Sequence, residues 1–292
     1  MHLSAKLATT VVGLTAAVAV AAPAHAAPAP DTVEVANVAH RGASAYAPEN
    51  TLAAVREGIE MRSDLIEVDV QRAKDGELII VHDTNLARTT DVEQVFPDRA
   101  PWKVADFTYA ELSRLDAGSW KGAEHAGEQI PTLSEVIDTV RASRAGLLLE
   151  IKAPQLYPGI EADVVDTMRK VPGYVESAVA ADRLVVQSFS FDSMRTYSEL
   201  EPSVPVGLLG TPAVAQLPEL ATWADQVNPH HKSFDAAYVD AVHAAGMDLL
   251  TWTVDDPADM NAAIDKGVDG VISNRPDVLE QVLRDRLAAP AA

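Results

Sequence analysis

The stretch Leu65-Ile66-Glu67-Val68-Asp69-Val70 has the apolar composition of a buried β-strand, yet it contains two acidic residues one position apart. Side chains alternate between the two faces of a strand, so Glu67 and Asp69 point to the same side. Burying two like charges together is very costly unless a cation or protons neutralise them. The stretch therefore predicts a core strand that carries part of a metal site.

A second apolar run follows this strand after a short polar turn. Only four residues, Lys74-Asp75-Gly76-Glu77, precede the run from Leu78 to His82, which is too few for a crossover helix. We therefore predict a β-hairpin that turns at Asp75-Gly76 and sets Asp69 opposite His82. This pairing would return His82 to the neighbourhood of the two carboxylates.

The rest of the chain alternates between short apolar runs and stretches with helical spacing, which predicts parallel strands joined by helices. Eight such strands in roughly 250 residues are typical of a (β/α)8 TIM barrel, with an open doubly wound sheet as the alternative. Residues 83–131 have no clear periodicity and predict a small insertion after the second strand, lying over the barrel mouth. The predicted strands are 35–39, 65–70, 147–151, 184–187, 204–209, 225–228, 249–254 and 270–272. The predicted helices are 51–61, 133–143, 159–169, 190–199, 235–245, 257–266 and 276–287.

Composition restricts the class of partner. The chain has 43 acidic and 23 basic residues, a formal net charge of -20, so neither a nucleic acid nor an anionic membrane surface is expected as its main partner. It contains no cysteine, which excludes disulfides, thiolate metal sites and cysteine nucleophiles. A small anionic substrate would have to be attracted by local positive charge.

The N-terminal segment resembles a Sec-type signal peptide. Lys6 precedes the apolar run 11–22 and the small-residue sequence Ala24-His25-Ala26, and prolines at 23, 28 and 30 argue against the alternative of a buried helix. We predict a signal peptide at 1–26, a leader at 27–34 and one catalytic domain at 35–288. No later segment is apolar enough to span a bilayer, so we expect a secreted or cell-envelope protein.

Conspicuous polar residues lie at or just past the C-terminal ends of the predicted strands, which is the face where barrel active sites lie. Three carboxylates from two strands form an all-oxygen site that suits Ca²⁺ or Mg²⁺ better than zinc or copper. Two of the eight histidines, His40 and His82, fall beside these acids and could carry protons near neutral pH, whereas we interpret His230 and His231 as loop residues. The residues at this face are His40, Glu67, Asp69, Glu150, Lys152, Gln187, Trp252 and Asn274.

The charged neighbours have structural interpretations as well. Arg41 could form a salt bridge with Glu49, and Lys152 could pair with Glu150. Both residues could also bind a phosphate, because a phosphate site needs fixed cations that are themselves oriented by acids. These residues together suggest chemistry on a phosphate ester.

In their order and spacing, these residues resemble the glycerophosphodiester phosphodiesterase family from about residue 36 to 284. The motifs that carry the resemblance are His40-Arg41-Gly42, Pro48-Glu49-Asn50-Thr51, Glu67-x-Asp69, His82-Asp83, Leu86-x-Arg88-Thr89-Thr90, Glu150-x-Lys152, Gln187-Ser188-Phe189, Trp252-Thr253-Val254 and Gly267-Val268-Asp269-Gly270. One departure stands after the last strand, where the family commonly has Thr-Asp-Arg-Pro and this chain has Ser273-Asn274-Arg275-Pro276.

The resemblance implies a TIM barrel with an insertion and a role for each site residue. Glu67, Asp69 and Glu150 would hold a divalent metal, Ca²⁺ being favoured over Mg²⁺ in an extracellular setting, and His40 and His82 would be the acid/base pair. The implied phosphate and substrate contacts are Arg41, Lys152, Trp252 and Gln187, and the residues that support the His40 loop are Glu49 and Asn50.

The leading hypothesis is hydrolysis of a glycerophosphodiester such as glycerophosphocholine to glycerol 3-phosphate and an alcohol. A sphingomyelinase D or lysophospholipase D activity is an alternative, but it needs an apolar groove, and a cell-wall polymer such as teichoic acid is a further substrate option. A secreted protein that binds glycerophosphodiesters without cleaving them is the rival from another class. Retention of both histidines argues against this last alternative, because a binding protein has no use for a paired acid and base.

Overall fold

Eight parallel strands form a closed barrel in the computed structural model, which describes residues 35–288. The first strand pairs with both the second and the last, so the sheet has no open ends and the predicted (β/α)8 barrel is confirmed. The third strand is the outer arm of a hairpin, antiparallel to the second. The strands are β1 (Ala36–Ala39), β2 (Leu65–Arg72), β3 (Leu78–Ile80), β4 (Gly146–Ile151), β5 (Leu184–Ser188), β6 (Val206–Leu209), β7 (Gln226–Asn228), β8 (Asp248–Thr251) and β9 (Gly270–Ser273).

The barrel strands are connected mainly by helices, several of which begin at side chains that cap backbone N–H groups. Thr132 and Glu135 form a reciprocal capping box, and Thr51, Ser190 and Asp235 each accept a backbone N–H at a helix start. The helices are α1 (Leu52–Glu60), α2 (Val92–Val95), α3 (Tyr109–Leu112), α4 (Leu133–Arg141), α5 (Ile160–Arg169), α6 (Tyr174–Val179), α7 (Phe191–Leu200), α8 (Leu217–Leu220), α9 (Ala236–Ala244), α10 (Pro257–Asp265) and α11 (Pro276–Ala288). The short helices α2, α3, α6 and α8 were not predicted. No helix among residues 35–288 is long and apolar enough to cross a membrane. The predicted signal peptide (1–26) and leader (27–34) lie outside the described residues.

The alternation of side chains along the strands explains why the polar residues gather at one end of the barrel. Val38, Leu65, Leu148, Val185, Leu250 and Ile272 form a buried apolar cluster inside the barrel. Two residues further along each of these strands, the same face carries His40, Glu67, Glu150, Gln187, Trp252 and Asn274. The interior is therefore apolar at its centre and polar at the C-terminal ends of the strands.

The predicted register of the β2–β3 hairpin is wrong by one position. Arg72 pairs with Leu78 and Val70 with Ile80. Val81, and not His82, therefore lies opposite Asp69, and its N–H donates to the Asp69 carbonyl over 2.9 Å. The loop spans five residues, 73–77, and Gly76 adopts a positive φ of 96° within it. His82 lies one residue beyond the paired region, at the rim, and still reaches the site.

The insertion has a hydrophobic core of its own, which was not predicted. Phe107, Leu112 and Val92 pack with Ile79 and Val81 of the hairpin, so the insertion rests on the hairpin. Of residues 83–131, only 83–85 line the two cavities at the catalytic end of the barrel. The expectation that the insertion as a whole lies over the mouth is therefore corrected.

Candidate active site

Three carboxylates converge at the C-terminal end of the barrel. Glu67 and Asp69 lie on β2 and Glu150 on β4, and Asp69 is in register with Glu150. All three side chains are buried, and one oxygen of each lies within 4.8 Å of the others. The structure thus brings together the three acids that the sequence predicts as metal ligands.

The three acids differ in the direction of their pKa shifts. Burial and the neighbouring carboxylates raise the pKa of Glu67 well above its usual range and that of Glu150 to about 8. Burial acts in the same direction on Asp69, but Lys152 and Arg41 outweigh it and lower the pKa of Asp69 to about 2. Asp69 Oδ1 is buried and accepts no hydrogen bond, although Lys152 Nζ lies 3.3 Å from it. An all-oxygen cluster with an unsatisfied buried acceptor suits a hard divalent cation.

The loop between β1 and α1 orients the acids of β2. The backbone N–H of Arg41 donates to Glu67 Oε2 over 2.7 Å. Asn50 makes two hydrogen bonds with Asp69, in which its Nδ2 donates to Oδ2 over 2.8 Å and its Oδ1 accepts the backbone N–H over 3.1 Å. Gly42 makes the loop conformation feasible, because its φ is 76° and a Cβ there would lie 2.4 Å from the Ala54 carbonyl carbon.

Two cations flank the carboxylates. Arg41 donates to Glu49 Oε1 over 2.8 Å, and its Nε lies 3.6 Å from Asp69 Oδ2. Lys152 donates to Glu150 Oε1 over 2.8 Å. Burial would lower the pKa of Lys152, but Asp69 and Glu150 raise it, so the ammonium stays charged. The two salt bridges that the sequence suggests, Arg41 to Glu49 and Lys152 to Glu150, are both present.

His40 is held by a neutral acceptor. Its Nδ1 lies 2.6 Å from Asn274 Oδ1, and the Asn274 amide is oriented by Asp255, which accepts from Asn274 Nδ2 over 2.7 Å. Because an amide oxygen only accepts, Nδ1 carries the hydrogen and Nε2 is the free acceptor. Burial and the Arg41 charge lower the pKa of His40 to about 4, so the imidazole is neutral near pH 7.

His82 is held by a charged acceptor. Its Nδ1 lies 2.7 Å from Asp83 Oδ1, and Asp83 also accepts from Arg88 Nε over 2.6 Å. Arg88 continues to Glu49 through two hydrogen bonds of 2.8 and 2.7 Å. Burial lowers the pKa of His82 despite the opposing charge of Asp69. A carboxylate partner stabilises an imidazolium, so His82 is better placed than His40 to carry a proton.

The opposite wall of the site is built from amide and aromatic side chains. Gln187 on β5 is buried and accepts from Asn228 Nδ2 on β7 over 2.8 Å. Trp252 follows β8, donates its Nε1–H to the Asn228 carbonyl over 2.8 Å, and meets the Phe189 ring edge to face at 5.6 Å. This arrangement fixes the Trp252 ring at the edge of the site.

Two adjoining cavities open onto these residues. The smaller, of about 110 Å³, is lined by His40, Arg41, Glu67, His82, Glu150, Lys152, Gln187, Phe189, Leu209, Trp252, Thr253 and Ile272. The larger, of about 560 Å³, is lined by His82, Asp83, Thr84, Asn85, Glu150, Ile151, Lys152, Ala153, Pro154, Gln155, Ser188, Phe189 and Ser190. His82, Glu150, Lys152 and Phe189 border both cavities.

Sequence reasoning missed several residues that position this site. Asn228 is the last residue of a predicted strand. Polar residues at the C-terminal ends of strands are expected at the active-site face, and this rule, which identified Gln187, also applies to Asn228. Asp255 is harder to find, because it lies in a loop and meets Asn274 only through the fold. Asp83 and Arg88 stood in the recognised motifs, but no role was predicted for either.

The sequence model of the glycerophosphoryl diester phosphodiesterase family matches residues 40–278, a span that contains every predicted site residue. A glycerophosphodiester phosphodiesterase of Bacillus subtilis is 35% identical over 259 residues, covering 84% of this chain and 85% of that protein. One of Caldanaerobacter subterraneus is 34% identical over 250 residues, covering 85% and 97%. A solved Oleispira antarctica phosphodiesterase, in complex with the product sn-glycerol-3-phosphate, is 30% identical, with a TM-score of 0.75 and coverage of 85% and 96%.

The fold and the site define a barrel enzyme that hydrolyses phosphodiesters. More narrowly, the chain belongs to the glycerophosphoryl diester phosphodiesterase family. The small-molecule substrate expected from the sequence fits this family.

Proposed function

We propose that this enzyme is a secreted, metal-dependent phosphodiesterase that hydrolyses glycerophosphodiesters, glycerophosphocholine among them, to glycerol 3-phosphate and an alcohol. The observation that carries the proposal is the convergence of Glu67, Asp69 and Glu150 beside two cations and two oriented imidazoles. The related Oleispira enzyme, with sn-glycerol-3-phosphate bound as product, supports the choice of product.

Glu67, Asp69 and Glu150 would hold the divalent ion, and Ca²⁺ is favoured over Mg²⁺. The fit rests on their all-oxygen chemistry and on the buried Asp69 Oδ1, which accepts no hydrogen bond. When bound, the ion would supply positive charge that stabilises the charge on the phosphate during the reaction.

Arg41 and Lys152 would bind the non-bridging oxygens of the phosphate. Their own acids hold both groups in place, so little reorganisation is needed when the phosphate gains charge. Glu49 supports this arrangement from behind, since it accepts from both Arg41 and Arg88.

His40 would act as the base and His82 as the acid. The free Nε2 of neutral His40 accepts the proton of the attacking hydroxyl, which belongs to water or to the 2-hydroxyl of the substrate's glycerol. As the bond from phosphorus to the departing alcohol breaks, protonated His82 donates its proton to that oxygen. Attack by the 2-hydroxyl gives a cyclic phosphate, which water opens with the two histidines in reversed roles.

Release of glycerol 3-phosphate from glycerophosphocholine, with and without a chelator, tests the proposal. We expect release that stops in the chelator and returns when Ca²⁺ is added, more fully than with Mg²⁺. Full activity in the chelator would contradict metal dependence, and absence of the product from every glycerophosphodiester would contradict the function.

Export is the remaining part of the proposal, and it rests on the sequence of residues 1–26. Expression of the full chain in a secreting bacterial host should yield a mature protein that begins after Ala26 or Ala27, as read by N-terminal sequencing. Retention of the intact N-terminus inside the cell would argue against it.

A further inference from the structure

The two cavities meet at residues that would bind the phosphate of the substrate. The four residues that border both, His82, Glu150, Lys152 and Phe189, include an acid of the carboxylate cluster and a cation that would bind the phosphate. A phosphodiester seated there has one alcohol in each cavity. The glycerol, which is common to every substrate of the class, suits the small cavity beside Trp252, and the variable alcohol falls in the larger one.

The placement of the histidines agrees with this division. His40 lines only the smaller cavity, whereas His82 lines both. The group that protonates the departing alcohol must reach the cavity that receives it, and of the two histidines only His82 does so. If His82 is the acid, as proposed, the larger cavity would therefore receive the departing head group.

The charges around the larger cavity disfavour a cationic head group. The Lys152 ammonium lies 5.6 Å from the centre of the Phe189 ring, so a cation already lies close to this ring. Asp83 is already shared between His82 and Arg88. Glu150 is paired with Lys152. A trimethylammonium group beside Phe189 would therefore find no unpaired carboxylate and would be repelled by the Lys152 ammonium, whereas an uncharged ring packed against Phe189 would not be repelled.

The uncharged part of the lining combines an apolar wall with polar edges. Phe189 is 53% exposed and lines the cavity together with Pro154. Thr84 and Gln155 are exposed at its edges, and neither side chain hydrogen-bonds within residues 35–288. An aromatic face beside free hydroxyl and amide groups suits a ring whose faces are apolar and whose edge carries hydroxyls.

From these observations we infer that the larger cavity binds an uncharged polyol head group of ring size, of which inositol is the example, in preference to choline. The inference rests on the proposed function and specifies its substrate class. Gln155 would donate to or accept from the head-group hydroxyls, and Phe189 would pack against the ring.

The test compares kcat/KM for glycerophosphoinositol and glycerophosphocholine in three proteins. The wild-type enzyme should favour the inositol diester by about fivefold or more, and Gln155→Ala should lower its kcat/KM by roughly three- to tenfold, the value of one or two hydrogen bonds, while the choline diester loses less than about twofold. Gln94→Ala is the matched control, because Gln94 is exposed on α2 and lines neither cavity. Gln94→Ala should leave kcat/KM unchanged for both diesters.

A preference for the choline diester, an equal loss for both diesters in Gln155→Ala, or the same selective loss in Gln94→Ala would overturn the inference. Should no diester be hydrolysed, the proposed function fails on its own account. The subsite is then tested by calorimetric titration of both diesters into His40→Ala protein supplied with Ca²⁺. Tighter binding of the inositol diester supports the inference, and equal or weaker binding overturns it.

Discussion

The two halves of the barrel mouth differ in charge. Imidazole, carboxylate and ammonium groups lie within or directly after β1, β2 and β4, whereas amides lie within or directly after β5, β7 and β9, and an indole follows β8. The charged half contains the groups that can neutralise a phosphate and move protons. The uncharged half holds these groups and the substrate in place, since Asn274 orients His40 and Trp252 is fixed by Asn228. Substitutions should therefore act on kcat in the first half and more weakly, or on KM, in the second.

The largest effect is expected at Asp69, which interacts with Arg41, Lys152 and Asn50. Asp69→Asn removes the shared partner of Arg41, Lys152 and Asn50 and one of the three candidate metal ligands. We expect kcat to fall by about 10⁴-fold or more, because several groups that are each worth roughly 10² to 10³ lose their alignment together. Steady-state kinetics and calorimetric titration with Ca²⁺ measure the two losses. Glu60→Gln is the control, because Glu60 is an exposed acid on α1, and it should leave kcat and Ca²⁺ binding unchanged. Unimpaired Ca²⁺ binding by Asp69→Asn would contradict the proposed metal site.

His82→Ala should follow, with a loss of about 10³-fold in kcat, since it removes the proton donor to the departing alcohol. His82 is half-buried at the rim, so the melting temperature should change by only a few degrees. His243→Ala is the matched control, because His243 forms a comparable pair with Asp269 over 2.8 Å, on α9. Turnover should be retained in the control. If His82→Ala were as active as the control, the acid/base mechanism would have to be abandoned.

Asn274 tests the uncharged half, because it acts through His40. Asn274→Ala removes the acceptor of Nδ1 and should lower kcat roughly tenfold with little change in KM, as is common for partners of site residues. Asn274→Asp keeps an acceptor but adds a charge that favours the imidazolium and raises the pKa of His40.

The pH profile separates these two variants. In the wild-type enzyme His40 acts when deprotonated, and burial and Arg41 lower its pKa to about 4, so the acid limb of the pH profile should fall as the pH drops towards that value. In Asn274→Asp the acid limb should move to higher pH, by about one unit. An unmoved acid limb would show that Asn274 does not set the state of His40.

Much of the charged half could be predicted from sequence, because acids in an apolar strand conflict with burial unless they form a site. Strand periodicity then places Glu67, Asp69 and Glu150 on one face, and the shared direction of parallel strands brings them to one end. His82 was placed near them even though the hairpin register was wrong by one, since it lies beyond the paired residues.

The uncharged half was less accessible to the same reasoning. Gln187, Trp252 and Asn274 were predicted to lie at this face, but Asn228 was missed, because a buried amide conflicts with an apolar strand far less than a carboxylate does. Asp255 is brought to Asn274 by the approach of the loop after β8 to the end of β9, which local patterns do not encode. The insertion core escaped prediction for a related reason, because α2 and α3 have four residues each and are too short to show a helical period.

The smallest effect is expected at Trp252, where a substitution tests whether the uncharged half affects substrate binding alone or the chemical step as well. Trp252→Ala removes an aromatic wall of the small cavity but none of the charged groups. We expect KM for glycerophosphocholine to rise about fivefold while kcat changes by less than about twofold, since the lost contact is with the substrate's glycerol and not with its phosphate. Trp223→Ala is a control of the same size on the loop before β7, lining neither cavity. A large fall in kcat with unchanged KM in Trp252→Ala would mean that the uncharged half takes part in the chemical step, because only interactions made in the transition state alone affect kcat in that way.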